Sequence, residues 1–254
     1  MNTRQRIEML SPQSDCHMAD DWYKFISIDH FWIKWRFEAL QKIIPKDYIW
    51  GKTFEIGCGT GVLREQVEQF SGCTVIGCDL NLKALQMAIE SSSPLYFYNI
   101  HQRHEDFKER FSTILLLDVL EHINDPVSFL NSVSFHLKKG GKCIINVPAF
   151  QFLYSQYDEV AGHIRRYNIP NLKNELHLAG FGIKSAAYWG MSLIPLLMIR
   201  KFIVHFYRKD QIIKVGIKSS PLVDFIFRFI MRIEYAIFPK PPAGTSLIVV
   251  AQKE

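Results

Sequence analysis

The sequence predicts an α/β fold built on a mostly parallel sheet. Two observations carry this: from residue 53 short apolar runs alternate with helical patterns, and the first run leads into a glycine-rich turn, FEIGCGTGV. Such alternation is the signature of βα units, in which each strand is followed by a helix that packs back on the sheet. With 254 residues, 48% hydrophobic and 22% charged, the chain suits one globular domain and is not a disordered one.

Taken in order, residues 20 to 50, which include DDWYKFISIDHFWIKWRFEALQKII, form a Trp- and Phe-rich, helix-like segment that no simple sheet topology demands. Strands are expected at Thr53 to Ile56, Thr74 to Cys78, Leu95 to Asn99, Thr113 to Leu117 and Lys142 to Val147. Asp125-Pro126 supplies an N-cap and a proline at the first position of the helix joining the fourth strand to the fifth. Gly140-Gly141, after Lys138-Lys139, marks where that helix is expected to stop. Asn168 caps a further helix over Ile169 to Ala179, ended by Gly180, which leads into an apolar segment around Gly182 to Tyr188. The final run, SLIVVAQKE, completes the sheet.

Charge is unevenly placed. The formal balance is +5, yet Gly190 to Lys240 alone holds nine Lys/Arg against three Asp/Glu, and the other residues hold 21 against 22. A broadly basic body that would bind nucleic acid is therefore not expected. The basic stretch stands where a short connection would do, so it is read as an insertion with its own helices. From Leu222 its apolar residues fall at Phe225, Ile226, Phe229, Ile230, Ile233, Ala236 and Ile237, a helical stripe with Arg228 and Arg232 off it. Such stripes most often face a core. The run GMSLIPLLMI is too short to cross a bilayer, which takes about 20 residues. The opening MNTRQRIEMLSPQSDCHMADD is charged and polar, so a reduced, cytoplasmic protein without a leader is expected. Cys73 and Cys78 have no second Cys/His pair at metal spacing, so no metal site is expected.

The glycine turn carries the chemistry. Gly57, Gly59 and Gly61 lie at the carboxyl end of the first strand, where bare backbone can face a ligand. The third glycine comes one residue too early for the dinucleotide pattern G-x-G-x-x-G, and Glu55 would repel a pyrophosphate but suits an ammonium group. A ligand with an amino-acid end and a nucleoside end fits better than NAD. Asp79 stands 22 residues after Gly57, where open α/β sheets place an acid for ribose hydroxyls, and Leu80 can lie on a purine face. Asn99 and Ile100 end the third strand, where an amide can read an adenine edge, and Asp118 ends the fourth.

Through FEIGCGTG, Asp79, and DVLEHINDP with NVPAF, residues 50 to 188 resemble the class I S-adenosylmethionine-dependent methyltransferases. The resemblance implies a Rossmann-like, seven-stranded sheet with a reversed last strand beside the sixth and helices on both faces. It also implies S-adenosylmethionine as cofactor, leaving as S-adenosylhomocysteine, with no metal. Its cofactor residues would be Glu55, Gly57, Cys58, Gly59, Gly61, Asp79, Leu80, Asn99, Ile100 and Asp118. HFWIKWR at 30 to 36, YDEVAGHIRRY at 157 to 167, and the E-x-x-x-x-P-x-P-P-x-G-T-S-L pattern of Glu234 to Leu247 are similar to a bacterial subgroup acting on small molecules, often in glycan- or lipid-linked pathways.

Methyl transfer to a hydroxyl needs its proton removed, and a histidine titrating near neutrality suits that task. His163 of GHIRRY is the expected acid/base residue, with a packing role as the alternative. Acceptor or lid roles fall to Trp32, Arg36, His122, Tyr157, Arg165, Arg166 and Tyr167. Arg165 and Arg166 read either as clamps for an anionic acceptor or as partners of Asp158 and Glu159, and Trp32 and Arg36 either close over the cofactor or pack on the sheet. The expected division is a helical lid at 1–50, a cofactor domain at 51–189 and 242–254, and an insertion at 190–241. That insertion is an acceptor cap, a membrane contact through Arg200, Lys201, Arg208, Lys209, Arg228 and Arg232, or a homodimer interface. The rival readings are a catalytically inactive binding protein and an enzyme of NAD or nucleoside chemistry.

Overall fold

The structure is a computed structural model that describes residues 6–13, 28, 30–45, 48–204, 206–207, 212 and 221–254. Cys16, Arg208 and Lys209 lie outside the described residues.

Strands β1 (Ile7–Met9), β2 (Thr53–Ile56), β3 (Val75–Asp79), β4 (Leu95–Phe97), β5 (Phe111–Leu117), β6 (Leu137–Pro148), β7 (Phe181–Trp189) and β8 (Ser246–Lys253) form one sheet. Their order is β1-β4-β3-β2-β5-β6-β8-β7. All pairings are parallel except those of β8, which runs antiparallel to both β6 and β7. The Rossmann-like sheet with a reversed last strand is therefore present, with one difference from the expectation. An eighth strand, β1, extends the edge beyond β4, with Ile7 opposite Leu95 and the amides of Leu10 and Ser11 both donating to Phe97 O. The last strand lies between β6 and β7, beside the strand that precedes it in the chain, as expected.

Side chains alternate along the strands with period two, so each face has its own core. Ile114 and Leu116 pack with Phe129, Leu130 and Val133 of helix α4 (Pro126–His136) and with Leu172 and Leu176 of α6 (Ile169–Leu178). Leu115 and Leu117 face the other way. They meet Trp35 and Leu40 of α1 (Phe31–Ile43) and Leu63 and Val67 of α2 (Val62–Ser71), while the short helices α3 (Leu82–Gln86) and α5 (Gln156–Ala161) lie in the connections after β3 and β6. Strands covered on both faces read as continuous apolar runs, which is why β5 was visible as ILLL.

Capping follows the sequence closely. Asp125 accepts from Ser128 N and Asn168 from Asn171 N, with Pro126 opening its helix. Helix α4 nevertheless stops at His136, four residues before Gly140-Gly141. Leu137 already pairs with Phe111, Lys142 pairs with Thr113, and residues 138–141 bulge out between them. Gly140, at φ +72°, serves that bulge and not the helix end.

Between β7 and β8 the chain forms α7 (Ile194–Val204) and α8 (Pro221–Ile237). Helix α8 packs on α1 through buried Met231, Phe227 against Phe31 (ring centroids 4.8 Å apart), and Tyr235 stacked on Trp35 (5.0 Å). Much of the broad stripe points outward: Phe225, Ile226, Phe229, Ile233 and Ile237 are 43–64% exposed. A narrower line, Phe227, Met231 and Tyr235, at i, i+4 and i+8, makes the contact. Glu234 on the same face accepts from the backbone N–H of Gly190, Met191 and Ser192, fastening α8 to the end of β7. A Cβ on Gly244 would stand 2.2 Å from Trp189 O. The Glu234-to-Leu247 pattern is thus the clasp that closes the insertion.

Candidate active site

The carboxyl ends of β2, β3, β5 and β6 meet at one edge of the sheet, and three groups of side chains gather there.

The first surrounds the glycine turn. Gly57 N and Cys58 N both donate to Cys78 O, so the turn is locked to β3. Gly57 has φ +76°, and a Cβ there would stand 2.5 Å from Val119 Cγ2, so only glycine fits. Gly59 and Gly61 are also left-handed, Gly61 as the N-cap of α2. Asp79 Oδ2 accepts from Gly59 N and Oδ1 from Asn81 N, each at 2.7 Å. Burial raises its pKa, and these amides oppose the rise. Glu55 is buried, accepts from the Arg64 N–H and leaves Oε2 without a partner. Burial pushes its pKa up to about 8, against the pull of Arg36 and Arg64.

Glu55, Gly57, Gly59, Gly61 and Asp79 therefore come together, with Leu80 half-buried beside them. Other expected cofactor residues are placed differently. The Cys58 thiol packs inward with Leu85, Leu95 and Phe97, and Ile100 is buried in the core. Asn99 Oδ1 accepts from His101 N, capping the turn Ile100–Gln102.

The second group ties the N-terminal helix to the sheet. Asp118, at φ +58°, accepts from Arg36 Nη1 on Oδ2 and from Asn146 Nδ2 on Oδ1. Asn146 Oδ1 in turn accepts from Trp189 Nε1 at 2.9 Å, and the Trp189 ring lies 4.5 Å from that of Trp32. Asp118, expected at the cofactor, thus anchors α1. His30 caps that helix by accepting from Trp32 N.

In the third group the DVLEH and GHIRRY motifs meet. Ile164 N donates to Glu121 O, His122 Nδ1 to Gly162 O at 2.9 Å, and Arg165 Nη2 to Asn124 O. His163 Nδ1 donates at 2.9 Å to Asp158 Oδ1, which also receives Arg166 Nε at 2.8 Å. Burial alone would raise the Asp158 pKa, but His163 and Arg166 outweigh it and hold the carboxyl at about 2. Burial, assisted by the charge of His163, lowers His122 to about 4.

Several expected acceptor residues make contacts within the fold. Arg166 is buried on Asp158, whereas Arg165 pairs at 3.7 Å with Glu175 and not with Asp158 or Glu159. Tyr167 is buried in the core with its hydroxyl on Leu120 O, because the chain enters α6 there. Tyr157 is buried beneath the Arg200 guanidinium, 3.9 Å from the ring centroid. That contact turns Arg200 inward, away from any lipid. Glu121, Asn146 and Trp189 were not singled out from the sequence, although Glu121 sits in the quoted DVLEH; their partners are distant in the chain.

A glycine turn flanked by buried acids at successive strand ends defines a cofactor-binding α/β enzyme class. A methyltransferase domain model matches residues 30–186, more than half of the sequence, and the chain belongs to that family. It is 28% identical over 136 residues to a ubiquinone biosynthesis O-methyltransferase of Paracidovorax citrulli, covering 46% of this chain and 57% of that protein. The same-named protein of Pseudomonas fluorescens is 30% identical over 138 residues, covering 47% and 58%. The matches thus span little more than half the length of these relatives. Among solved structures, the fold resembles a SAM-dependent methyltransferase from Archaeoglobus fulgidus (TM-score 0.56, 16% identity, 91% of this chain and 96% of that one). It also resembles Haemonchus contortus phosphoethanolamine N-methyltransferase 2 in complex with S-adenosyl-L-methionine (TM-score 0.56, 17% identity, 85% and 51%).

Proposed function

We propose that the chain transfers a methyl group from S-adenosylmethionine to an oxygen or nitrogen of a small, lipophilic acceptor. The observation that carries this reading is Glu55: a carboxylate buried under a glycine turn, with one oxygen unpartnered, suits an amino-acid ammonium and repels a pyrophosphate. The Asp79 carboxylate accepts from the amides of Gly59, Asn81 and Leu80, and its two oxygens still have acceptor capacity for a ribose hydroxyl. When bound, the cofactor supplies a methyl carbon on a sulfonium leaving group. The chain's task is then mainly to hold the acceptor in line and keep water out. Trp32, Arg36 and Trp189 wall one side, and His163, oriented by Asp158, is assigned to the acceptor proton.

The relatives' name supports oxygen as the acceptor atom, and the HFWIKWR and GHIRRY motifs support the bacterial small-molecule subgroup. Thermal-shift titration tests the cofactor: S-adenosylmethionine and S-adenosylhomocysteine should each raise Tm, and stabilisation by NAD alone overturns the reading. Turnover of any acceptor excludes an inactive binding protein.

For residues 190–241 we infer a peripheral contact with anionic membrane, which also caps the acceptor site and keeps the protein cytoplasmic and membrane-associated. Exposed Phe202, Phe206, Phe225 and Phe229 lie on α7, α8 and their connection, and exposed Lys201 and Arg232 provide charge complementary to acidic headgroups. No helix among the described residues is long and apolar enough to cross a membrane. Sedimentation with anionic liposomes at low salt should pellet the protein. A dimer in solution that abolishes pelleting would assign the face to a second copy.

A further inference from the structure

Where the two loops of the third group meet, one carboxylate is left over. Asp158 is paired with Arg166, and Asp118 with Arg36. Glu121 is wholly buried, yet neither of its oxygens has a hydrogen-bond partner. His163 Nε2 lies 3.8 Å from Oε1, beyond hydrogen-bond reach. A buried carboxylate in this state is costly unless something neutralises it.

The two histidines beside it are arranged as metal ligands are. His122 Nδ1 faces the Gly162 carbonyl and His163 Nδ1 the Asp158 carboxylate. Both partners accept only, so each Nδ1 is the donor to its partner, and Nε2 is the nitrogen left for a cation. A ring nitrogen oriented by a carboxylate or carbonyl through its other nitrogen is the usual support of a metal-bound histidine. Ligand atoms of Glu121, His122 and His163 lie within 4.8 Å of one another, with the rings at 4.9 Å between centroids. Ligands each about 2.1 Å from one ion stand at most about 4.2 Å apart, so small side-chain rotations close the set.

We propose that Glu121, His122 and His163 bind a divalent first-row transition cation. Two imidazoles and one carboxylate suit Zn²⁺, Mn²⁺ or Fe²⁺ better than Ca²⁺ or Mg²⁺. Three protein ligands leave a position open, and the two histidines are only half-buried. This deepens the methyltransferase reading and rests on it only for the cation's use: an acceptor hydroxyl taking the open position would be held as its oxyanion at neutral pH. His163 then acts as a ligand, and the acid/base role assigned to it passes to the cation.

The test is to strip the full chain with a chelator and titrate it with Co²⁺, following the visible d–d absorption. A band that saturates at one Co²⁺ per chain, and is lost in both His163→Gln and Glu121→Gln, is expected. The thermal shift with S-adenosylhomocysteine, read on the same variants, reports folding and the cofactor site. Should Glu121→Gln not fold, His122→Gln, which alters a half-exposed ligand, replaces it. No 1:1 band, or one that survives these substitutions, overturns the cation site. Absence of a thermal shift with an intact band overturns the cofactor reading and leaves the cation standing.

Discussion

The glycine-turn end of the sheet and the 190–241 insertion are built on opposite principles. Around Glu55 and Asp79 polar groups are withdrawn from water and placed against backbone amides. In the insertion apolar groups are pushed into water, with Phe202 and Phe206 more than 70% exposed. Each arrangement is unfavourable for the isolated chain, and each makes sense if a partner completes it. On the proposed function, a cation-bearing small molecule completes the first and an apolar surface the second. Withdrawn acids and exposed aromatic side chains would then both mark surfaces kept for binding.

The strongest way to break the rigid side is Asp158→Ala. It strands buried Arg166 and removes the partner of His163, and a loss of about 3–5 kcal/mol is expected, measured by urea denaturation. An unchanged midpoint would show that the GHIRRY loop is not held from beneath. Arg36→Leu should cost about 1–2 kcal/mol, discounted because Asp118 is about one-third exposed, and should loosen Trp32 from Trp189. Tryptophan fluorescence of that variant should shift; no shift would detach the helix from the site. On the exposed side, Phe225→Ser with Phe229→Ser should change stability by less than about 0.5 kcal/mol while abolishing liposome pelleting. A large loss of Tm would mean the stripe is covered after all.

Most of the fold was legible because its elements are locally consistent. Strands β2 to β6 are apolar runs between strong punctuation, and Asp125-Pro126 and Asn168 cap their helices in both sequence and structure. What stayed hidden depends on partners. Strand β1 has three residues in a polar stretch and exists because the edge of β4 accepts it. Helix α8 carries two apolar lines, and composition could not say that the narrower one would find α1. In the site, residues 55, 57, 59, 61 and 79 were legible because chain order alone sets them at neighbouring strand ends. Asp118 and Arg166 were harder, since Arg36 and Asp158 compete for them with any ligand. Glu121 was the least visible, because its significance appears only once His163 is brought beside it from 42 residues away.

Glu55 offers the most direct test. Its folded pKa of about 8 lies above the ordinary 4.5, so its contribution to stability is fully present below pH 4.5 and is lost as pH rises through 8. An ammonium ligand needs the ionised form, so affinity for the cofactor should strengthen over the range in which Glu55 loses stability. Calorimetric titration of S-adenosylmethionine into the wild type and Glu55→Gln at pH 5.5 and 7.0, where the ligand's own amine stays mostly protonated, measures this. Tighter wild-type binding at pH 7.0, with a loss of about 10–100-fold and no such pH dependence in the variant, is expected. Equal affinity of the two proteins at both pH values would contradict the assignment of this turn to the cofactor's amino-acid end.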